Sequence, residues 1–484
     1  MIDHRSASIS THDYSAFEEE PAERGLLSAT APAEPLSLDD LAEHCEAARR
    51  QFDYEAFYQS SKAGADLAVS TAPGQHGRFA NWQVYALFML GRGAEAKILL
   101  EEIESRYGKS FATRRRAADI QFYLGNFEAA LHAADEAICA IPLNKAPGKA
   151  FVDLCSRKAA ALCALGRHGD ARRFLLAVWR DKPALTPEDV ALLRTTVVDE
   201  ESLAAFRDYL STDFFTVSRC IPALQAYSTA CRDLGLMDEA IYAARQKFLA
   251  GAELFKPGDK KPPSSKGWTA AARRALLDLK ADFTGAGADF FLISGTLLGC
   301  MREGDLLGHD TDIDVGVTPC DLDGLRRRLQ ATGRFAFLRR PVPGLLQIRH
   351  CNGVAVDIFE HREQDGAVVH QGRKCRWINS PFGLTSTSFL GGTFTIPDRP
   401  EAYLQENYGD WRQPALDFDT FVDTPNMEVT SAPDMTHYLY GKLLDYYRLG
   451  RMATFARVWN ALQAVSPPDA RVRAAAEGIL KEVA

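Results

Sequence analysis

The residues best suited to chemistry in this chain stand close together: Asp310, Asp312 and Asp314 fall within five positions of the stretch HDTDIDVGV, residues 309–317. From Asp312 to Val317 polar or small residues alternate with branched ones, the pattern of a β-strand with one apolar face. Side chains at i and i+2 of a strand share a face about 7 Å apart, so Asp312 and Asp314 point the same way. Carboxylates gathered like this repel one another unless a cation neutralises them. An all-oxygen set of this kind holds one or two magnesium ions, with manganese as the substitute. Asp310 adds a third charge and a further metal ligand. The plainer alternative is a half-exposed edge strand whose acids are simply solvated.

The elements on either side must position these acids. Phe290 to Ile293 form a short run of aromatic and branched residues. Ser294-Gly295-Thr296 follows as a tight turn, and Leu297, Leu298 and Met301 then recur at helical spacing. Strand, turn and helix are expected, with Gly295 and Thr296 at a helix N-terminus where free N–H groups favour a phosphate. Arg302, near the end of that helix, meets a pyrophosphate or pairs with Glu303 or Asp305. His309 touches a metal or phosphate, or orients a carboxylate by hydrogen bond. Downstream, Asn352-Gly353 is a two-residue hairpin signal, so Leu345–Cys351 and Val354–Glu360 are expected to pair antiparallel. Arg373, Lys374 and Arg376 form a short basic run that either binds an anion or is surface charge.

Taken together, GTLLG at 295–299, a short charged interval and DTDID at 310–314 resemble the LicD and fukutin-type transferases. The resemblance implies the nucleotidyltransferase fold, with a glycine-containing turn at the phosphates and a paired-acid strand at the metals. It also implies a third acid on a neighbouring strand, and Asp357 in VAVDIFE, residues 354–360, answers it. Asp312, Asp314 and Asp357 are then the catalytic acids, and Asp357 either completes the metal site or activates the acceptor hydroxyl. Phe394-Thr395-Ile396-Pro397 and the segment from Ala402 to Trp411 resemble the family's closing motif, so the likeness runs over roughly 268–430. Gly308-His309 stands where many members carry Pro-Trp, and Ser294 where a second glycine is frequent, so a different donor pocket is implied.

The implied activity is transfer of choline phosphate or a polyol phosphate from a CDP-linked small-molecule donor to a glycan or lipid-linked sugar acceptor. Two other readings remain: a nucleotidyltransferase releasing pyrophosphate, and a repeat scaffold carrying an inactive transferase domain. No GxSxG, HExxH or Walker-type loop occurs, which removes the usual hydrolase, zincin and P-loop kinase chemistry.

The chain has 484 residues, 46% hydrophobic and 25% charged, with a formal net charge of -8. That describes a globular chain of two or three domains without the basic footprint of a nucleic-acid binder. No secretory leader or spanning stretch is evident, and a cytoplasmic protein, peripheral at most on the inner membrane face, is expected. Ten cysteines without a CxxC pair suggest buried, reduced thiols.

Ahead of the acids lies an internal repeat: LGRGAEA at 90–96, LGNFEAA at 124–130, LGRHGDA at 165–171 and LGLMDEA at 234–240. In each copy the glycine precedes the alanine by five positions. The first two copies are 34 residues apart, the period of tetratricopeptide repeats; the later spacings, 41 and 69, fit an insertion and a degenerate copy. Pro142 and Pro183 fall where second helices of such repeats end.

The expected organisation is therefore multi-domain, α and α+β. A disordered arm at 1–36 precedes a tetratricopeptide-like α-solenoid at 37–255, whose first helix runs from Asp39 to about Leu67. A linker at 256–266 leads to the mixed-sheet nucleotidyltransferase-like domain at 267–430, and a helical segment at 431–484 closes the chain. The solenoid surface offers a site for a protein partner or an extended acceptor.

Overall fold

In the computed structural model, residues 36–141, 148–180, 186–210, 220–261, 267–337, 342–415 and 417–483 are described. The arm at 1–35, Pro142, Pro183 and linker residues 262–266 lie outside them. Helices α1 (Leu38–Arg50) and α2 (Tyr54–Thr71) stand where one helix was expected. Ser37 and Asp40 form a reciprocal cap on α1. The break falls at Phe52, which takes a left-handed φ of 58°, and Asp53 then caps α2 by accepting from the Ala56 N–H at 2.9 Å. Such a backbone is costly for a phenylalanine. Its ring packs onto Gly267, where a Cβ would lie 1.9 Å from it, and that distant contact overrides the helical pattern.

The four LG motifs all fall between two helices. They join α3 (Pro73–Met89) to α4 (Gly93–Tyr107), α5 (Phe111–Tyr123) to α6 (Phe127–Cys139), and α7 (Lys149–Ala164) to α8 (His168–Val178). After α9 (Pro187–Arg194) and α10 (Glu200–Leu210), the last joins α11 (Cys220–Asp233) to α12 (Met237–Leu254). Gly91, Gly125, Gly166 and Gly235 each turn the chain with φ between 70° and 81°, a conformation that glycine adopts freely. Five residues on, Ala96, Ala130, Ala171 and Ala240 are completely buried, so no larger side chain fits without displacing the facing helix.

The C-terminal unit begins with α13 (Trp268–Gly285), β1 (Phe291–Leu292), α14 (Ser294–Arg302), β2 (Asp312–Val317) and α15 (Leu322–Ala331). Strands β3 (Phe335–Ala336), β4 (Leu345–His350), β5 (Ala355–Glu360), β6 (Arg362–Gln364), β7 (Ala367–Gln371), β8 (Cys375–Asn379), β9 (Leu384–Phe389) and β10 (Gly392–Pro397) follow. The chain closes with α16 (Pro400–Tyr408), β11 (Met427–Val429), α17 (Ala432–Leu449), α18 (Met452–Val465) and α19 (Ala470–Val483). One mixed sheet has the order β3-β4-β5-β2-β1-β10-β9, with β2/β5 and β1/β10 parallel; the other, β11-β8-β7-β6, is antiparallel. β4 and β5 pair antiparallel as expected, but the loop between them holds three residues, Cys351 with Asn352 and Gly353, so the register is shifted by one from that of a two-residue turn: Arg349 faces Ala355, and the His350 N–H donates to the Val354 carbonyl at 2.8 Å.

Packing ignores the expected boundary at 256–266. Phe248 and Leu249 of α12 share one core with Leu443 and Leu444 of α17 and with the sheet. A Cβ at Gly251 would lie 2.4 Å from Leu444, so the two helices meet backbone to side chain. Further up the array, Arg334 Nε donates to the Gly91 carbonyl at 3.1 Å, and the Cys351 thiol lies 3.0 Å from that of Phe88. Among the described residues no helix is long and apolar enough to cross a membrane. The described cysteines are free thiols; Cys45, Cys155, Cys231, Cys351 and Cys375 are buried, while Cys139 and Cys320 are exposed, contrary to expectation.

Candidate active site

Strands β2 and β5 run parallel with Asp314 opposite Asp357, and paired residues of neighbouring strands project from the same face. Asp312 joins them from one alternation earlier. Ile313, Val315, Val356 and Ile358 are fully buried on the other face, which fixes the register: a one-residue slip would drive the acids into the core. Ligand oxygens of Asp312, Asp314 and Asp357 all lie within 4.8 Å of one another; among the described residues no other trio of His, Cys, Asp or Glu side chains converges so closely. Gln347, opposite Asp357 on β4, sets its amide nitrogen 3.1 and 3.0 Å from the two Asp357 oxygens and so orients that carboxylate.

Burial pushes the Asp314 carboxyl well above its usual range, and Asp312, Asp357 and Asp310 push it further. Asp310 rises to about 7, first through burial and then through Asp312. This is the response of acids gathered in one buried hollow, where each disfavours the charge of the next. Three carboxylates without nitrogen or sulfur ligands form a hard-oxygen set, which fits magnesium or manganese. Asp310 stands beside this trio and not within it. Its Oδ1 accepts from the Thr311 N–H at 3.0 Å, and its Oδ2 would lie 2.4 Å from a Cβ at position 295.

That contact gives Gly295 its reason. Gly295 and Thr296 lie inside the first turn of α14, which starts at Ser294, so the separate turn expected there is absent. Ser294 instead takes a left-handed φ of 47°. Thr296 is buried, and its hydroxyl accepts from the Asp314 N–H at 2.9 Å. It therefore ties the start of α14 to the acidic strand, and the structure gives it a positioning role toward the acids. Arg302 donates to Glu303 at 2.8 Å and to the Trp411 carbonyl at 3.2 Å, the pairing alternative foreseen for it. His309 is exposed on the turn before Asp310. The basic run lies on the second sheet: Arg376 pairs with Glu428 at 2.8 Å, and Lys374 sits 3.6 Å from the Phe421 ring centre.

Sequence reasoning missed Tyr403 and Tyr408, both on α16. Burial raises each phenol far above its usual range, and Asp314 is the largest charge acting on each; Asp310 and Asp312 add to the effect at Tyr408. Both phenols are thus buried within the field of the acids, and the Tyr403 hydroxyl has no hydrogen-bond partner. Their segment was visible as a motif, but only the fold packs α16 against α14 and brings it within the field of the acids. Gln347 was missed as well; a two-residue turn at Asn352-Gly353 would set Ile348 opposite Asp357, and only the three-residue loop of the structure brings Gln347 there.

Residues 287–397 match the family model described as LicD/FKTN/FKRP, nucleotidyltransferase domain. Ribitol-5-phosphate transferase FKTN from Mus musculus is 26% identical over 155 residues, 29% of this chain and 33% of that protein. The Homo sapiens protein of the same name is 25% identical over 153 residues, with the same coverage. The alignments thus span about a third of the length of these relatives. The matched segment includes α14, β2 and β5 with all of their acids, and residues 287–397 of this chain are a domain of the LicD/FKTN/FKRP family.

Proposed function

We propose that the chain is a divalent-cation-dependent phosphotransferase. It moves choline phosphate or a polyol phosphate, such as ribitol phosphate, from a CDP-activated donor to a hydroxyl of a glycan or its lipid-linked precursor. The observation that carries this reading is the convergence of Asp312, Asp314 and Asp357. Magnesium or manganese held there would neutralise charge on the phosphate oxygens. Asp312 and Asp314 hold the cation, and Asp357, oriented by Gln347, takes the proton of the acceptor hydroxyl. The acceptor oxygen bonds to the head-group phosphorus, the bond from that phosphorus to the CMP oxygen breaks, and CMP leaves with the electron pair. Thr296 keeps Asp314 in register, and Gly295 leaves room for the Asp310 carboxylate beside the start of α14. The names of the FKTN relatives support a polyol phosphate as the transferred group.

The mixed-sheet unit reads as a nucleotidyltransferase-type fold, and residues 37–255 as a tetratricopeptide-like array. Left-handed glycines at the helix turns and fully buried alanines five residues on support the second reading. Incubation with magnesium and CDP-choline, CDP-glycerol, CDP-ribitol or CTP tests the activity. CMP released from a CDP donor, and lost in Asp312→Ala, is the expected result. Pyrophosphate from CTP would replace this reading with nucleotidyl transfer, and release of neither product would leave a scaffold.

A further inference from the structure

The basic run at 373–376, which the sequence leaves as an anion site or as surface charge, divides in the fold. Arg376 pairs with Glu428. Lys374 turns onto two rings, its Nζ 3.6 Å from the centre of Phe421 and 4.7 Å from that of Tyr438. Lys442, on α17, does the same, its Nζ 5.4 Å from the Tyr438 centre and 5.7 Å from that of Tyr446. Two ammonium groups thus share one tyrosine ring. Neither makes a hydrogen bond or an ion pair with another described residue.

The acids around them are engaged elsewhere. Asp419 accepts from the Phe421 N–H at 2.9 Å, from the Tyr438 hydroxyl at 3.0 Å and from the Tyr446 hydroxyl at 2.6 Å. Asp233 accepts from Arg232 at 2.7 Å and from Arg194 at 2.9 Å, and Asp445 accepts from Lys260 at 3.0 Å. Arg232, at the end of α11, brings a third cation within range of Lys374. Burial lowers the Lys374 ammonium to about 8, and Arg232 and Lys442 act in the same direction. The same excess of positive charge reaches His437, which burial holds at about 3 with help from Arg232, Lys247 and Lys374.

Lys374 is half-buried, yet its ammonium is not sealed from solvent. An ammonium carries three N–H donors. A ring face attracts the charge without taking up those donors, and a partly desolvated cation with no anion beside it is costly to keep. The open side of this cluster therefore suits an oxygen-rich anion. A phosphate group brings about two negative charges and three strong acceptor oxygens, enough to meet several cations at once; a carboxylate brings one charge and two oxygens. We propose that Lys374, Lys442 and Arg232 form a binding site for a phosphate group, apart from the carboxylate trio and built where the helical array meets the catalytic unit. A phosphate in solution and one on a lipid headgroup present the same chemistry, and the experiment separates them.

The test titrates the full chain with inorganic phosphate by calorimetry in EDTA, and sediments it with vesicles of phosphatidic acid or of phosphatidylcholine alone. In EDTA the carboxylate trio repels phosphate, so the outcome does not depend on the transferase reading. Lys374→Met and Lys442→Met keep most of the stem that packs on the rings and remove the charge. Lys97→Met removes a charge from α4 instead. The wild type is expected to bind phosphate at about 5 mM or below, each of the first two variants to weaken it about tenfold, and Lys97→Met to leave it unchanged. Phosphate should also raise the melting temperature of the wild type and of Lys97→Met, and barely that of the other two. A lysine that only packs would lower the melting temperature without changing its response to phosphate. Sedimentation with phosphatidic acid that needs Lys374 and Lys442 names a lipid headgroup as the source; its absence names a phosphate in solution. No phosphate binding by the wild type, undiminished binding in both lysine variants, or an equal loss in Lys97→Met would overturn the proposal.

Discussion

Replacing Asp314 with Asn should make the protein more stable in a chelator while ending its response to magnesium. Two unit charges 4.8 Å apart repel by about 3.5 kcal/mol at an effective dielectric of about 20, and Asp314 faces both Asp312 and Asp357 at that separation or less. Its raised pKa means that part of this repulsion is already avoided by protonation. A net gain of about 1–3 kcal/mol is therefore expected from the neutral amide, which has nearly the same shape. With magnesium at about a hundredfold over its dissociation constant, the wild type should gain about 2.7 kcal/mol, and the variant little of it.

Urea melts of both proteins in EDTA and in magnesium read all four values, with turnover of a CDP donor as the second readout. Turnover should fall to about one per cent or less. Should Asp314→Asn be the less stable protein in EDTA, or keep the full magnesium shift, the carboxylates are not held against one another awaiting a cation, and the site assignment fails.

Other substitutions probe the frame of the site. Gly295→Ala should leave the melting temperature unchanged or slightly higher, since alanine suits a helix, yet cut turnover by displacing the Asp310 carboxylate; full turnover would mean Asp310 does not matter. Thr296→Val strands the Asp314 N–H and should cost about 1–3 kcal/mol, with Thr296→Ser restoring both stability and activity; an equal loss in the serine variant would place the effect in packing. His361 and His437 are held neutral mainly by burial, at about 4 and about 3. Unfolded histidines take up protons near 6.5, so the stability they contribute is complete above that pH and falls as pH drops toward 4, by about 3 kcal/mol each. Urea melts from pH 7 to 4.5 should show the fall, and His437→Gln should flatten part of it; an unchanged slope in that variant refutes the assignment.

What the sequence made legible was local. The alternation in β2 reveals its acids because burying every second residue leaves an imprint at period two, and Asn352-Gly353 announces that two strands turn back on each other, though not their register, which a three-residue loop sets with the Asn352 side chain donating to the Ala271 carbonyl at 2.8 Å. The reason for Gly295 was not legible: the group it makes room for, Asp310, arrives through a loop whose path no spacing encodes. Thr296 was read with the phosphate-binding turn because free N–H groups at a helix start favour anions; the bond its hydroxyl accepts from a backbone N–H eighteen residues on left no mark in the spacing. Tyr403 and Tyr408 feel the charge of acids some ninety positions earlier in the chain. The same logic broke the first helix at Phe52, whose ring is claimed by Gly267.

These long-range contacts bear on what the helical array is for. A detachable binding module would meet the catalytic unit across a polar, hydrated surface, but here α12 is part of the same core as the sheet. The Phe248 and Phe455 rings stand 6.5 Å apart, the Tyr447 hydroxyl donates to the Phe255 carbonyl at 2.9 Å, and the Lys260 N–H donates to the Arg448 carbonyl at 2.8 Å. At the other end of the unit, Arg334 and Asp282 pair beside Gly91 of the array. A fragment beginning at residue 267 would expose Leu443, Leu444 and Phe455 to water, about 1.5–3 kcal/mol of lost burial for each, comparable in sum to the whole stability of many domains. Loss of acceptor modification in such a fragment would therefore report a damaged core and say nothing of acceptor binding. The array's role has to be read in the full chain, by substitutions on helix faces that the catalytic unit leaves exposed.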